Sequence, residues 1–289
     1  MPELPEVETV VRGIRPRLVG RRVVKLVQRR PDLRTALPER FPERVEGRLV
    51  SAVERRAKYI LVRLDGRADK SPLQAHAAED DYLIIHLGMS GRLVLGTRAA
   101  HESGAHEHVE FATDDGTVLR FCDPRRFGIM DLISVSQLET DPRFAPLGPE
   151  PLSHDFTPAV LAAALKGRDT SIKAALLDQH VVAGIGNIYA CEALYRAGIS
   201  PRRKAGTVQG DRCVRLVAAI KDVLARAIAA GGSSARDYVQ ASGEAGWFQH
   251  AWAVYDREGK TCPGCDCGSG VKRIVQGGRS TFYCAKRQR

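Results

Sequence analysis

Apolar residues first recur at helical spacing: Val7, Val10, Val11, Ile14 and Leu18 line one side of a helix over residues 5–18. Pro5 suits a first helical position, and Glu6 and Glu8 fall in the first turn, where the helix dipole favours anions. From about residue 22 the pattern changes to short β-type runs, at 23–27, 49–53, 59–64, 82–87, 93–95, 109–111, 118–121 and 129–133. Asp115-Gly116 between two of them is a hairpin signal. That many short strands with a single helix predict a β-sandwich. The polar stretches 66–80 and 96–106 read as surface insertions. After Pro149-Glu150-Pro151 the pattern is helical, over 158–166, 171–179, 188–197 and 208–230, with Gly231-Gly232 as the last stop. A Gly/Ser-rich loop (231–246) and a Cys-rich tail follow, and no internal repeat is visible. The expected fold class is α+β multidomain: an N-terminal β-sandwich with one helix (1–150), a helical domain (151–258) and a small metal-type finger hairpin (259–289).

Composition sharpens this picture. A chain of 289 residues, 44% hydrophobic and 27% charged, has ordinary globular composition and room for two domains. Its 44 Lys and Arg exceed 34 Asp and Glu, a formal charge of +10, which points to a polyanionic partner, nucleic acid before a membrane surface. The excess is steepest in residues 260–289, where seven Lys/Arg face one Asp. No run approaches the roughly 18–20 apolar residues that span a bilayer, and Met1-Pro2-Glu3 does not open a signal peptide. The expected location is therefore a reducing cytoplasm. There, Cys262, Cys265, Cys267 and Cys284 in the tail read as metal ligands before disulfides, and the scattered Cys122, Cys191 and Cys213 as small core residues.

The opening Pro2-Glu3-Leu4-Pro5-Glu6-Val7-Glu8-Thr9-Val10 resembles that of bacterial formamidopyrimidine-DNA glycosylases. Further matches follow in the family's order: Arg55-Arg56-Ala57-Lys58-Tyr59, His86-Leu87-Gly88-Met89-Ser90-Gly91, and Asp123-Pro124-Arg125-Arg126-Phe127-Gly128. Gly184-Ile185-Gly186-Asn187-Ile188-Tyr189 and Gly277-Gly278-Arg279-Ser280-Thr281 complete a resemblance that covers the whole chain. It implies a helix–two-turn–helix element from Ser171 to about Ser200. It also implies a base-excision repair enzyme, both glycosylase and abasic-site lyase, acting on 8-oxoguanine and formamidopyrimidines in damaged double-stranded DNA. A monomer is expected.

The chemistry follows from the residues the resemblance selects. Loss of Met1 leaves Pro2 as a terminal secondary amine with a reference pKa of about 8, against about 10.4 for lysine, so far more of it is nucleophilic at neutral pH. Attack on a sugar C1′ yields an iminium, an electron sink that carries catalysis from base loss into β- and δ-elimination. Glu3 is the expected proton carrier. The resemblance makes Lys58 a phosphate-contacting proton donor and Arg279 a minor-groove phosphate contact that assists δ-elimination. Glu6 is read as stabilising the helix N-terminus. Met89 and Phe127 resemble wedges that fill the gap left by an extruded base, and Arg125 a reader of the opposite cytosine. Gly184 and Gly186 place N–H groups at a helix start, where Asn187, Lys173 and Arg168 are expected to meet phosphate. His86 and His106 match histidines near the DNA backbone.

One departure stands in the finger. The family's four cysteines usually run Cys-x2-Cys-x16-Cys-x2-Cys, sometimes with Cys-x4-Cys at the front; here Cys262, Cys267 and Cys284 fit, but Arg287 stands at the fourth position. Arginine does not ligate zinc. Zinc on Cys262, Cys267 and Cys284 is expected, with Cys265 the weaker candidate for a fourth ligand because three thiolates then share one short loop. Two rival readings are an endonuclease VIII-type glycosylase for oxidised pyrimidines and a finger-bearing DNA-binding protein without catalysis. The Leu4-Pro5-Glu6-Val7 continuation with Arg125 and Phe127 argues against the first, and Pro2, Glu3 and Lys58 together argue against the second.

Overall fold

The apolar runs between residues 23 and 133 do form strands. The computed structural model describes residues 1–67, 80–97, 104–234 and 240–289, and so leaves most of the two expected insertions outside the described residues. In order, the first part of the chain comprises α1 (Leu4–Leu18), β1 (Val23–Gln28), α2 (Phe41–Val45), β2 (Arg48–Arg56), β3 (Tyr59–Arg67), β4 (Asp81–His86), β5 (Arg92–Thr97), β6 (Glu107–Thr113), β7 (Thr117–Cys122) and β8 (Ile129–Ser134). They pair antiparallel into two four-stranded sheets, ordered β1-β6-β7-β5 and β2-β3-β4-β8. The inner residues of both sheets and the apolar stripe of α1 share one core around Ile14, Phe41, Ile60, Ile85 and Phe121. Each such side chain contributes about 1.5–3 kcal/mol by leaving water, which makes α1 a part of the sandwich core. The short α2 is absent from the sequence reading, because five residues carry too little periodicity to announce a helix.

The second part holds α3 (Pro158–Leu165), α4 (Ile172–Leu177), α5 (Asn187–Ala197) and α6 (Asp211–Ala229), then the hairpin β9 (Lys272–Gln276) and β10 (Arg279–Tyr283). Thr157 and Ser171 cap α3 and α4 through their hydroxyls, and Gly198 in the left-handed region ends α5. Leu161, Ile172, Tyr189, Leu194, Ile220 and Phe248 form its core.

The chain divides into two compact units: residues 1–145 with 231–246, and 146–230 with 247–289. The finger is part of the helical unit, since Phe282 and Cys284 pack with Cys191 and Tyr195 of α5. The Gly/Ser-rich segment after α6 belongs instead to the sandwich, where Leu95 donates its N–H to the Ala241 carbonyl at 3.0 Å. Composition marks that segment as a loop but cannot say which unit it returns to. Among the described residues no helix is long and apolar enough to cross a membrane.

Candidate active site

In the sandwich unit the chain begins at a helix start. Glu3 is the N-cap of α1, and Glu6 Oε2 accepts its N–H at 2.8 Å, closing a capping box. The second oxygen of Glu6 accepts the N–H of Ser233 at 2.8 Å, so the buried carboxylate holds both the cap and the 231–246 segment. This fits the reading of Glu6 as a helix-end residue and adds the tether. Pro2 and Glu3 are buried beside it.

Lys58 lies in a turn. Arg56 pairs with Tyr59, leaving Ala57 and Lys58 as a two-residue turn between β2 and β3, with Ala57 at φ 51°. The turn buries Lys58 against the sheet. His86, paired with Tyr59 across the sheet, is half-buried, and burial is the main reason that its pKa falls to about 4. The positive charges of Lys58, Arg34 and the N-terminal amine push in the same direction. The N-terminal amine, which Met1 carries, Lys58 and Arg34 therefore all bear on His86 as one cation-rich neighbourhood.

A neutral His86 has a consequence for stability. The unfolded histidine takes up its proton below about pH 6.5 while the folded one resists until about pH 4, so stability is present above pH 6.5 and drains away between the two. Allowing for partial exposure, the loss is on the order of 2 kcal/mol. His86→Asn, which keeps an acceptor near the Nδ1 position, is expected to flatten the slope of unfolding free energy between pH 6.5 and 4.5 in urea titrations. An unchanged slope removes His86 as its source.

Two loops come together at the end of this unit. His86 Nδ1 accepts the Gly88 N–H at 3.0 Å. Gly88 has φ +64°, and a Cβ there would stand 2.4 Å from the Phe127 carbonyl group, so only glycine allows the two loops this close. Asp123, 0% exposed, takes the Ser90 hydroxyl at 2.6 Å on one oxygen and the Gly128 N–H at 2.7 Å on the other. Ser90 Oγ in turn accepts the Arg125 N–H at 3.2 Å. The His108 ring donates to the Asp123 carbonyl at 2.9 Å, and the His106 carbonyl accepts the Asp123 N–H at 3.0 Å. On this scaffold Met89 and Phe127 are each 40% exposed, and the Arg125 guanidinium lies over the Phe127 ring at 4.7 Å. Met89, Arg125, Phe127 and the backbone of His106 are thus brought together. Asp123 was passed over as a site residue, although its place before Pro124 in a charged string was its signal.

In the helical unit Gln179 shapes the glycine loop, accepting the Gly184 N–H at 2.8 Å and donating to the Ile185 carbonyl at 3.0 Å. Asn187, at the start of α5, donates to the Ser280 carbonyl at 2.9 Å. Lys173 is a correction. Expected as a surface charge for phosphate, it is 0% exposed and donates to Thr281 Oγ1 at 2.7 Å. Its position in α4 turns it under β10, and the hydroxyl and carbonyl there satisfy an ammonium that water no longer reaches. Arg168 is held by Asp178 at 2.9 Å. Arg279 is exposed, next to a turn whose Gly277 and Gly278 both have positive φ. With Lys173, Leu177, Asp178 and Gln276 it lines a cleft of about 310 Å³.

The tail settles which cysteines meet. The Sγ atoms of Cys262, Cys265, Cys267 and Cys284 all lie within 4.8 Å of one another. Cys262 and Cys267 are 3.6 Å apart, and Cys265 and Cys284 3.8 Å. Tetrahedral zinc with bonds of about 2.3 Å separates its sulfurs by about 3.8 Å, so the set fits a four-thiolate metal ion. Cys265, the weaker candidate by sequence, completes the cluster, and Arg287 does not belong to it. Spacing alone could not show that the 262–267 loop turns back on itself. The sequence reading also passed over Glu192, whose buried carboxylate on α5 accepts the N–H groups of Ala253, Val254 and Tyr255 at 2.9 Å each. A lone acid within the apolar run 188–194 was the available signal.

A sandwich with exposed Met89 and Phe127 and a buried Pro2 before its first helix, in one chain with a glycine-loop helical unit and a thiolate-bearing hairpin, defines the class of finger-bearing helix–two-turn–helix proteins. Residues 1–130 match the formamidopyrimidine-DNA glycosylase N-terminal domain, and residues 147–239 match the H2TH domain of the same proteins. A formamidopyrimidine-DNA glycosylase of Rhodospirillum centenum is 54% identical over 299 residues, covering 100% of both chains. Among solved structures, the MutM (Fpg) protein of Thermus thermophilus is 38% identical with a TM-score of 0.82, covering 99% of this chain and 98% of its own. A Lactococcus lactis Fpg mutant bound to DNA containing Fapy-dG is 32% identical with a TM-score of 0.85, covering 99% of each chain. The chain belongs to the formamidopyrimidine-DNA glycosylase family.

Proposed function

We propose that this protein is a bifunctional base-excision repair enzyme, removing 8-oxoguanine and formamidopyrimidines from duplex DNA and then cutting the strand. The observation that carries the proposal is the burial of Pro2 and Glu3 at the start of α1, while the N-terminal amine, Lys58 and Arg34 all bear on His86. Family membership supports the substrate class. After removal of Met1, the Pro2 nitrogen uses its lone pair to bond C1′ as the glycosidic bond breaks and the base leaves with its electron pair. The proton that the Pro2 nitrogen gives up passes through Glu3 to O4′ as the C1′–O4′ bond opens, leaving an iminium. Loss of a C2′ proton then expels the 3′ phosphate, a second elimination expels the 5′ phosphate, and water releases the sugar fragment from Pro2. Lys58 and Arg279 act on the phosphates, Met89 and Phe127 fill the emptied stack, and Arg125 faces the opposite base, preferably cytosine. Arg168, Asn187 and His106 belong to the DNA-contacting surface.

The thiolate cluster is assigned to one zinc ion. It stabilises the fold of the loop beneath the hairpin when bound and supplies no chemistry to the strand. Borohydride added to enzyme with an abasic-site duplex reduces an iminium to a stable amine. A covalent adduct that peptide mapping places on Pro2 is the expected result; its absence, with cleavage intact, overturns the mechanism.

A further inference from the structure

Arg287 stands where the resemblance leads one to expect a fourth metal ligand, and the structure shows what it does there instead. The backbone on either side is pinned. Gln288 accepts the Cys284 N–H at 2.8 Å and donates to the Ile199 carbonyl at 3.0 Å, and the Arg289 N–H reaches the Gly198 carbonyl at 3.1 Å. From this fixed point the Arg287 guanidinium lies over the Tyr195 ring, 4.8 Å from its centre, and Nη1 reaches the Gly264 carbonyl at 3.5 Å. The Tyr195 hydroxyl donates to the neighbouring Pro263 carbonyl. Gly264 has φ +67°, and a Cβ there would sit 3.4 Å from the same guanidinium. Two adjacent carbonyls of the front loop are therefore held from one side, by a hydroxyl and by a cation stacked on the same ring. Cys265 is the next residue, and its sulfur is the one beside Cys284.

We propose that the metal centre of this chain has exchanged a ligand for a lock: Cys265 is the fourth ligand, and Arg287 is a positioning residue that bends the 262–267 loop so that Cys265 can reach the metal. Tyr195 completes the lock. This rests on the reading of the cluster as a metal centre. It explains how three thiolates on one short loop share a site without strain being borne by the loop alone: the turn is held by α5 through Tyr195 and by the tail through Arg287. Lysine cannot replace Arg287 fully, because the planar guanidinium both stacks and donates in one plane.

The test uses the full-length, metal-loaded protein. Zinc content is measured by atomic emission, zinc release by transfer to a colorimetric chelator, and thiolate number by the charge-transfer bands of the cobalt-substituted form. Wild type is expected to hold about one zinc and to show a four-thiolate cobalt spectrum. Cys265→Ser loses that spectrum. Arg287→Ala keeps it but releases zinc about tenfold faster, with Arg287→Lys in between, as for other residues that orient a ligand without binding the metal. Arg287→Cys gains no metal and no slower release. Chelator-resistant zinc with an unchanged spectrum in Cys265→Ser overturns the ligand assignment, and wild-type release rates in Arg287→Ala overturn the lock. A wild type that takes up neither zinc nor cobalt under reducing conditions overturns the metal centre itself, and this inference with it.

Discussion

A Pro2→Gly variant is expected to bind lesion-containing duplex with near-native affinity while cleaving it about 100-fold more slowly. Glycine still offers a terminal amine once Met1 is removed, so the nucleophile is altered rather than deleted. Two things change. A primary amine gives an imine that must be protonated before it draws electrons, whereas the secondary amine of proline gives a fixed cation directly. The pyrrolidine ring also fixes the backbone immediately before Glu3, where α1 starts, and glycine frees it. A reactant that wanders by an ångström loses about two orders of magnitude in rate. Met89, Arg125 and Phe127 are untouched, and so is binding through them. Single-turnover cleavage and equilibrium titration with the same duplex separate the two effects. Undiminished borohydride trapping that maps to a lysine in the variant rules out Pro2 as the nucleophile.

Glu192→Ala is expected to cost the helical unit about 3–5 kcal/mol. The carboxylate is completely buried in α5 and accepts three successive backbone N–H groups, those of Ala253, Val254 and Tyr255. Alanine removes the acceptor that all three donors share, inside the core that also holds Cys262 and Cys284. The melting temperature is expected to fall by about 10 °C. Glu192→Gln, which keeps an accepting oxygen, loses less than half as much. Thermal unfolding followed by circular dichroism decides it, and an alanine variant that melts with wild type shows that the three N–H groups find other acceptors.

What the sequence discloses and what it conceals divide along physical lines. The eight strands from β1 to β8 and α1, α5 and α6 are legible, because each leaves an apolar run or an apolar spacing of its own length in the sequence. The proposed chemistry of Pro2 needs no fold to be read, since it rests on the residue type and on the expected loss of Met1. Apart from α2, too short to show a period, and the unit to which 231–246 returns, what stays hidden is where a side chain goes after the chain has folded. Lys173 is buried under a hairpin, and its partners, the Thr281 hydroxyl and the Ser280 carbonyl, lie more than a hundred positions away. Nothing local distinguishes it from a solvated cation. The Cys265 thiol joins the cluster because Gly264 turns the loop and residues more than twenty positions away hold it. The tether from Glu6 to Ser233 spans most of the chain, and no periodicity reports it.

The closeness of the two wedge loops has a thermodynamic consequence. Gly88 lies against the Phe127 carbonyl, and Asp123 ties Ser90 to Gly128, so Met89 and Phe127 share one rigid base. Two separately mobile loops lose conformational freedom each time they enter a duplex, and that loss weakens every encounter. Here most of it occurs once, when the sandwich folds. An enzyme that must test a great many undamaged base pairs for each damaged one repeats the encounter constantly, and in the wedge role proposed for Met89 and Phe127 their preformed pairing spares it that recurring entropic penalty.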